Sequence, residues 1–320
     1  MILPSLDSLC AAADLVHKVM PPTPQICWPL LSQRAGANVW LKHENHTPIG
    51  AFKVRGGIVY MEELKRRDPH VIGVIAATRG NHGQSVAFAA ARAGLPSVLV
   101  VPQGNSREKN SAMRAFGAEL VEYGSDFQDA YEQAMVLAKT RSLHMVPSFA
   151  EPLLRGVASY ALELFQAVED LDAVYVPIGL GSGICGTIAA RDALGLQTEV
   201  IGAVASHAPA YAVSYAGGQP VASSVTPTVA DGMAVRVPDP TALEIIRKGA
   251  SHVITVEEDE IEAAMRHLFS DTHNVAEGSG ASPLAALLQE TERMRGRRVA
   301  LILSGGNVDR DVFAKILLEK

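Results

Sequence analysis

The chain has 320 residues, of which 48% are hydrophobic and 19% charged, and its formal net charge is −6. That length accommodates two domains or one large α/β domain with an ample core. The acidic balance and the lack of a basic stripe argue against nucleic acid and anionic membranes as partners. The cysteines Cys10, Cys27 and Cys185 are far apart, which argues against a disulfide framework and favours a reducing compartment. No apolar run approaches membrane-spanning length and no basic leader precedes one, so we expect a mature cytoplasmic chain.

Short apolar and β-branched runs predict nine strands, at 38–44, 71–78, 97–102, 118–124, 143–148, 173–178, 199–206, 252–256 and 298–305. Several are almost wholly apolar, as strands covered on both faces should be. Helical patterns lie between them, such as 126–141, which begins at an Asp126 cap, and 259–273, which has acids in its first turn. This alternation predicts an α/β fold with mainly parallel sheets flanked by helices, and function at the carboxyl ends of the strands. The stretch 215–232 is predicted to be a long, polar loop.

The first unusual stretch is HENHTPIGAFKVRGG, residues 43–57, which holds a single lysine, Lys53. It follows a glycine-containing turn and Phe52, and precedes a predicted helix. A lone lysine is ordinarily a solvated surface charge, so its position beside an aromatic ring and ahead of two glycines needs an explanation.

Three further stretches each contain a strand that ends in a turn and a helix. In 76–94 the junction carries Asn81 and His82, with free backbone N–H groups that suit a carboxylate; an asparagine cap followed by a packed histidine is the structural alternative. In 175–190 a glycine-rich turn precedes a helix of small residues, a pattern typical of phosphate binding, although a plain tight turn also needs glycine. In 301–309 a buried strand ends at Ser304 and two glycines, with Asn307 as a candidate helix cap.

The glycines of 175–190 also spell G-x-G-x-x-G, through Gly181, Gly183 and Gly186. A dinucleotide site requires an acidic residue at the end of the next strand to bind the ribose hydroxyls. Ser206 and His207 stand there instead. A cofactor with one phosphate therefore fits this loop better than a nicotinamide dinucleotide.

Taken in order, these motifs resemble one family, the pyridoxal-phosphate-dependent serine/threonine dehydratases and serine racemases of the tryptophan-synthase-β fold type. The resemblance runs from TPQICWPLLSQRAGANVWLKHE (23–44) through GAFKVRGG, RGNHGQSVAFAA, VVPQGNSREKNSAMRAFGAELV and ADGMAV to LSGGNVD. It implies two domains with the cofactor between them. The large domain would comprise residues 1–66 and 147–320, and a small inserted domain, 67–146, would close over substrate.

The resemblance implies a role for each motif. Lys53 would bind pyridoxal 5′-phosphate covalently, its amine kept neutral by burial and nearby positive charge, and Phe52 would pack near the ring. Asn81 would hydrogen-bond the phenolic oxygen of the ring, and Ser304 would face its pyridine nitrogen. The phosphate would be held by the glycine loop, residues Gly179, Leu180, Gly181, Ser182 and Gly183. The substrate carboxylate would bind the turn formed by Thr78, Arg79, Gly80, Asn81 and His82.

The implied activity is the removal of water and ammonia from a β-hydroxy-α-amino acid such as threonine or serine, with Lys53 as the general base at Cα. Where the racemases have a serine before GNH, this chain has Arg79, a poor proton shuttle, which disfavours racemisation. Arg79 could instead bind a second carboxylate and select 3-hydroxyaspartate, or turn outward to a surface acid. The same scaffold could also serve a β-replacing synthase or a non-catalytic binding protein.

The resemblance implies three further properties, which concern a metal site, Glu277 and the oligomeric state. A divalent metal is bound by some relatives through an acid at the position of Val204, so no metal site is predicted. Glu277 would either line the cofactor site or cap the following helix. A homodimer is expected because family members commonly form one.

Overall fold

The computed structural model describes residues 1–226 and 228–319. The strands in that part of the chain are β1 Gln25–Cys27, β2 Asn38–His43, β3 Val74–Ala77, β4 Ser97–Val101, β5 Glu119–Glu122, β6 His144–Met145, β7 Ala173–Pro177, β8 Glu199–Ala205, β9 His252–Val256 and β10 Arg298–Leu303. The helices are α1 Leu6–His17, α2 Pro29–Ala35, α3 Lys53–Arg67, α4 Asn81–Arg92, α5 Arg107–Ala115, α6 Phe127–Thr140, α7 Glu151–Ala167, α8 Ser182–Ala193, α9 Ala210–Gly217, α10 Pro240–Gly249, α11 Glu258–Thr272, α12 Gly278–Gln289, α13 Thr291–Met294 and α14 Arg310–Leu318.

The strands form two sheets. One has the order β1-β2-β10-β7-β8-β9 and the other β5-β4-β3-β6. Every neighbouring pair is parallel except β1 and β2, which are antiparallel. The predicted α/β class with mainly parallel sheets is therefore confirmed. β1 escaped prediction because three residues carry no periodic signal, and it exists by pairing with β2 at the sheet edge.

The smaller sheet is built wholly from strands within residues 74–145. The larger sheet takes its strands from either side of that segment, as an inserted unit requires. The proposed division at residues 66/67 and 146/147 stays a prediction.

The stretch 215–232 is not a loop throughout. Its first three residues complete α9, and Asp231 begins a single 3-10 turn, Asp231–Met233. Position 227 lies outside the described residues.

The α6 prediction was accurate at its start, where the Asp126 carboxylate accepts a hydrogen bond from the backbone N–H of Asp129.

A fully buried ionic cluster joins α3 to the larger sheet and to α7. The Arg55 guanidinium donates from Nε to Glu44 at 2.7 Å and from Nη1 to Glu163 at 2.6 Å. Lys42 donates to Glu163 at 2.6 Å. Burial alone would raise the pKa of Glu163, but the Arg55 and Lys42 cations hold it at about 2. This stabilising contribution is present above the ordinary carboxyl pKa and is lost as the pH falls towards 2.

Replacing Arg55 with methionine should lower the free energy of unfolding by about 3–5 kcal/mol, because the buried Glu44 would lose its ion pair and the buried Glu163 would keep Lys42 but lose its bonds to the guanidinium. Arg114→Met removes an arginine whose ion pair with Glu122 is exposed, and should cost at most about 1 kcal/mol. Urea unfolding of the two variants measures the difference. Equal losses would show that the cluster does not stabilise the fold.

Candidate active site

Lys53 is the first residue of α3, at a point where three elements meet. The N–H of Phe52 donates to the Ser304 carbonyl at the end of β10, 3.0 Å away. The Ser85 hydroxyl of α4 donates to the Lys53 carbonyl at 2.6 Å. The start of α3 is thereby fixed both to the larger sheet and to the helix that carries Asn81.

The two glycines behind Lys53 allow neighbouring helices to approach α3 closely. A Cβ on Gly57 would overlap the Ser85 hydroxyl, and one on Gly56 would lie 2.8 Å from the Leu153 carbonyl of α7. A Cβ on Gly156 would in turn overlap the Arg55 carbonyl. Larger residues would push α3 away from its neighbours and displace the lysine.

The Lys53 ammonium group loses its proton more readily than that of an exposed lysine. Burial lowers its pKa to about 8, and the Glu277 carboxylate opposes that shift. The expectation that nearby positive charge also lowers this pKa is therefore wrong, because burial lowers it and the charge that acts on it, that of Glu277, is negative. The Nζ atom lies 4.7 Å from the centre of the Phe52 ring.

The glycine loop, residues 179–183, joins β7 to α8. Within the described residues, none of its five backbone N–H groups donates a hydrogen bond, since the first to do so is that of Cys185, to the Gly181 carbonyl. These N–H groups stand at the amino end of a twelve-residue helix, where the helix dipole adds positive potential. The arrangement suits a phosphate group.

Two glycines of this loop cannot be replaced without distortion. Gly181 has φ +100°, and a Cβ there would lie 2.8 Å from that of Ala242. A Cβ on Gly179 would lie 2.5 Å from the Gly232 carbonyl. Leu180 is anchored by its carbonyl, which accepts from the Tyr211 hydroxyl at 2.9 Å. Ser182 is buried and begins α8.

Phe52 connects the lysine to this loop. Its ring meets that of Tyr160 edge to face, with centres 6.1 Å apart. The Tyr160 hydroxyl donates to the Gly183 carbonyl at 2.8 Å, and a Cβ on Gly183 would lie 3.7 Å from the Phe52 ring. Lys53 and the anion-binding loop are thus parts of one site.

The 78–82 turn forms a second anion-binding surface. The buried Thr78 hydroxyl accepts from the N–H groups of Gly80 and Gly83, at 3.0 and 2.9 Å, and so shapes the turn. The N–H groups of Asn81 and His82, at the amino end of α4, donate no hydrogen bond within the described residues. A substrate carboxylate fits there.

Asn81 does not cap α4, because Gly80 is the capping residue and the Asn81 amide turns towards Glu277 and Asn307. It donates to Glu277 at 2.6 Å and accepts from Asn307 at 2.8 Å. Asn307 is likewise no cap, since Asp309 occupies that position at α14. Glu277 precedes α12 but makes no side-chain capping bond. Of the two roles expected for Glu277, the structure favours lining the site.

Two residues that the sequence did not single out also converge here. Lys109 of α5 lies 2.7 Å from Asp231 and 3.5 Å from Glu277, measured from Nζ to the nearest carboxylate oxygen. Burial would lower the pKa of Lys109, but the two carboxylates raise it overall, so it is an ammonium ion. Nothing local in the sequence indicates these contacts, which join positions more than a hundred residues apart.

Arg79 is half-buried and makes no hydrogen bond or ion pair within the described residues. Among those residues no surface acid pairs with Arg79, and the direction in which its guanidinium points stays a prediction. It projects from the turn that presents the free N–H groups of Asn81 and His82. Arg79 thus belongs to the predicted carboxylate-binding turn and has no counter-ion from residues 1–226 or 228–319.

His82 and Ser304 complete the predicted set. Burial and the Lys53 charge lower the pKa of His82 to about 3, so its imidazole is neutral, and its Nε2 has no hydrogen-bond partner. Ser304 is 3% exposed and directly follows Leu303, the last residue of β10, next to the start of α3. The structure therefore brings every residue of the predicted site to the same region, and their individual roles stay predictions.

This site fits pyridoxal phosphate. The donor-rich glycine loop would hold the phosphate and the desolvated Lys53 amine would hold the aldehyde carbon. Ser304 adjoins the start of α3 through its carbonyl, and Asn81 begins the helix whose Ser85 binds the Lys53 carbonyl. In the part of the chain that is described, no three His, Cys, Asp or Glu side chains are arranged to hold a metal ion. No helix in that part is long and apolar enough to cross a membrane.

The comparisons with known proteins agree with this chemistry. A family model described as "Pyridoxal-phosphate dependent enzyme" matches residues 17–305. An L-threonine ammonia-lyase of Thermotoga maritima is 32% identical over 317 residues, which are 98% of this chain and 78% of the relative. An L-threo-3-hydroxyaspartate ammonia-lyase of Saccharomyces cerevisiae is 28% identical over 100% of this chain and 98% of the relative.

Solved structures show the same relationship. The processed threonine deaminase isoform 2 of Solanum lycopersicum superimposes with a TM-score of 0.89 at 28% identity, covering 99% of this chain and 95% of that one. The resemblance inferred from the sequence motifs is confirmed. The chain belongs to the pyridoxal-phosphate-dependent enzyme family, as an enzyme whose curated relatives include ammonia-lyases.

Proposed function

We propose that this enzyme removes water and ammonia from a β-hydroxy-α-amino acid, leaving a 2-oxo acid. The observation that carries the proposal is the desolvated Lys53 amine, which stands between the phosphate-binding glycine loop and the 78–82 turn. The names of the ammonia-lyase relatives support the same reaction class. A homodimer located in the cytoplasm remains our prediction.

Bound pyridoxal phosphate supplies an electron-withdrawing group that acidifies the substrate Cα–H. The N–H groups of Asn81 and His82 bind the substrate carboxylate and orient that bond. The neutral Lys53 amine then accepts the Cα proton as general base. A hydroxyl at Ser304, unlike a carboxylate, does not hold a pyridine nitrogen protonated, which favours prompt loss of the β-hydroxyl. The hydroxyl takes up one proton and leaves as water, and one water molecule later replaces the amino group, so the net reaction converts the amino acid into a 2-oxo acid and ammonia.

The proposed substrate within this class is 3-hydroxyaspartate. Arg79 makes no ion pair within the described residues and projects from the turn that would bind the α-carboxylate. A guanidinium binds carboxylates in a two-pronged geometry, and the second carboxylate of 3-hydroxyaspartate would neutralise it. The full-length similarity to a yeast L-threo-3-hydroxyaspartate ammonia-lyase supports this assignment. Because an arginine stays charged, racemisation through a second acid–base group at this position is disfavoured.

The pKa of Lys53 predicts how attachment of pyridoxal phosphate depends on pH. Only the neutral amine reacts, so the rate for the apoprotein should rise with pH to a midpoint near 8, the lowered pKa of Lys53. A lysine in a model peptide should react with a midpoint about two units higher. Visible absorbance follows the reaction, and borohydride reduction with peptide mapping identifies the lysine. A midpoint close to that of the peptide, or a label elsewhere, would contradict the assignment.

The substrate assignment is tested by turnover of L-threonine, L-serine and the 3-hydroxyaspartate diastereomers, with detection of the 2-oxo acid. We expect a 3-hydroxyaspartate diastereomer to have the highest kcat/KM. Arg79→Ala should lower that value about 10- to 100-fold, since hydrogen bonds to charged groups contribute about 1.5–3 kcal/mol. It should leave threonine turnover within about threefold.

Arg114→Ala is the matched control, because it removes an exposed arginine on α5 outside the site. If threonine is preferred and Arg79→Ala leaves the ranking unchanged, the 3-hydroxyaspartate assignment is wrong, while the dehydratase reaction stands. If no substrate yields a 2-oxo acid, and chiral analysis instead finds inverted amino acid, the dehydratase reaction itself is wrong.

A further inference from the structure

The Asn81 amide could be oriented with its oxygen and nitrogen in either of two positions, and its hydrogen-bond partners determine which orientation it has. Its oxygen accepts from Asn307 at 2.8 Å, and its nitrogen donates to Glu277 at 2.6 Å. An amide nitrogen carries two hydrogens. One is used by Glu277, so a single N–H remains to be offered to a bound group.

Asn307 is itself oriented by the backbone. Its amide nitrogen donates to the Ile49 carbonyl at 2.8 Å as well as to Asn81. A backbone carbonyl only accepts hydrogen bonds, so the nitrogen of Asn307 must face Ile49. Both of its hydrogens are then committed, and the group of Asn81 that faces it must be the oxygen.

Glu277 fixes the other half of the Asn81 amide, provided that its carboxyl group is ionised. Glu277 is 3% exposed, and burial raises its pKa, a shift that the Lys109 ammonium opposes. The Lys109 Nζ lies 3.5 Å from one Glu277 oxygen, too far for a strong hydrogen bond, so the interaction is chiefly one of charge. Asp231 binds Lys109 more closely, at 2.7 Å, and keeps the ammonium in place.

We propose that Asn307 and Lys109 are positioning residues, which lock the Asn81 amide so that its one remaining N–H is presented to the cofactor. Asn307 sets where the amide oxygen points. Lys109 keeps Glu277 an obligatory acceptor for the amide nitrogen. The inference depends on family membership and not on the substrate, so it can fail or succeed independently of the proposed reaction.

The Asn307 arm compares Asn307→Ala with Asn307→Asp by titrating each apoprotein with pyridoxal phosphate. Alanine removes one bond and leaves the Asn81 oxygen without a partner. Aspartate places an acceptor where Asn307 had a donor, opposite the Asn81 oxygen and the Ile49 carbonyl. The Asn81 amide would then rotate so that its nitrogen, and not its oxygen, faces position 307. We expect Asn307→Asp to bind the cofactor at least about tenfold more weakly than Asn307→Ala, the difference expected for an unmet buried polar group.

Equal affinities of these two variants, or tighter binding by Asn307→Asp, would overturn the role given to Asn307. Circular dichroism and thermal melting of both apoproteins verify that they are folded. Should Asn307→Asp fail to fold, the Lys109 arm decides the proposal, because it uses a different element and a different measurement.

The Lys109 arm measures the cofactor dissociation constant against pH for wild type, Lys109→Met and Arg114→Met. The titratable groups that face Glu277 are Lys109 of α5, Asp231 of the 3-10 turn and Lys53 of α3. Without Lys109 the pKa of Glu277 rises further, so Glu277 takes up its proton earlier as the pH is lowered. The affinity for the cofactor should therefore begin to weaken, on lowering the pH, at a pH at least about one unit higher than in wild type. The cofactor phosphate titrates identically in all three proteins.

Arg114→Met removes the same charge from the same helix but leaves Glu277 alone, and its pH dependence should match wild type. A Lys109→Met profile that is uniformly weaker yet unshifted in pH would indicate lost packing only, and would overturn the role given to Lys109. A shift in both variants would assign the effect to the overall charge of the protein and would also overturn it.

Discussion

The buried guanidinium of Arg55 fixes the first turn of α3, and the position of Lys53 depends on it. Lys53 and Arg55 are separated along the chain by Val54 alone, and the Arg55 guanidinium is buried between Glu44 and Glu163. Such a cluster stabilises little relative to an apolar core, but it tolerates only one geometry, because any displacement leaves a buried charge unpaired. The backbone that carries the Lys53 side chain is thereby held in one position.

The cationic side chains around the cleft differ in how their charge is balanced. Lys109 has two carboxylate partners, Asp231 and Glu277, and its charge is satisfied inside the protein. Arg79 has none among residues 1–226 and 228–319. Arg79 is a half-buried residue in the predicted carboxylate-binding turn, so a carboxylate of a bound ligand would supply the counter-ion that the protein does not. This difference gives the substrate assignment its physical basis, since the serine of a racemase at this position would carry no charge.

The sequence predicted those parts of the site whose chemistry is local. The features that suit the glycine loop and the 78–82 turn to anion binding lie within a few residues, because backbone N–H groups at a strand-to-helix junction attract anions. The placement of Lys53 directly after Phe52 is likewise visible in a short stretch of sequence. The residues that surround Asn307 and Glu277 in the sequence suggest that each caps a helix. In the structure both side chains instead bond to Asn81 of α4, which is more than 190 residues away along the chain. Lys109 gave no signal at all, and the three-residue strand β1 exists only through pairing with β2.

The stem of Lys109 also links cofactor orientation to substrate binding. A Cβ on Gly80 would overlap the Lys109 Cδ atom, so the lysine chain packs directly beneath the 78–82 turn while its ammonium reaches Glu277. The backbone that would bind the substrate carboxylate therefore rests on the same side chain that keeps Glu277 ionised. Movement of α5 changes both contacts together. A ligand that draws the turn inward would therefore also shift the Lys109 side chain and its contact with Glu277, which couples substrate binding to the orientation of Asn81.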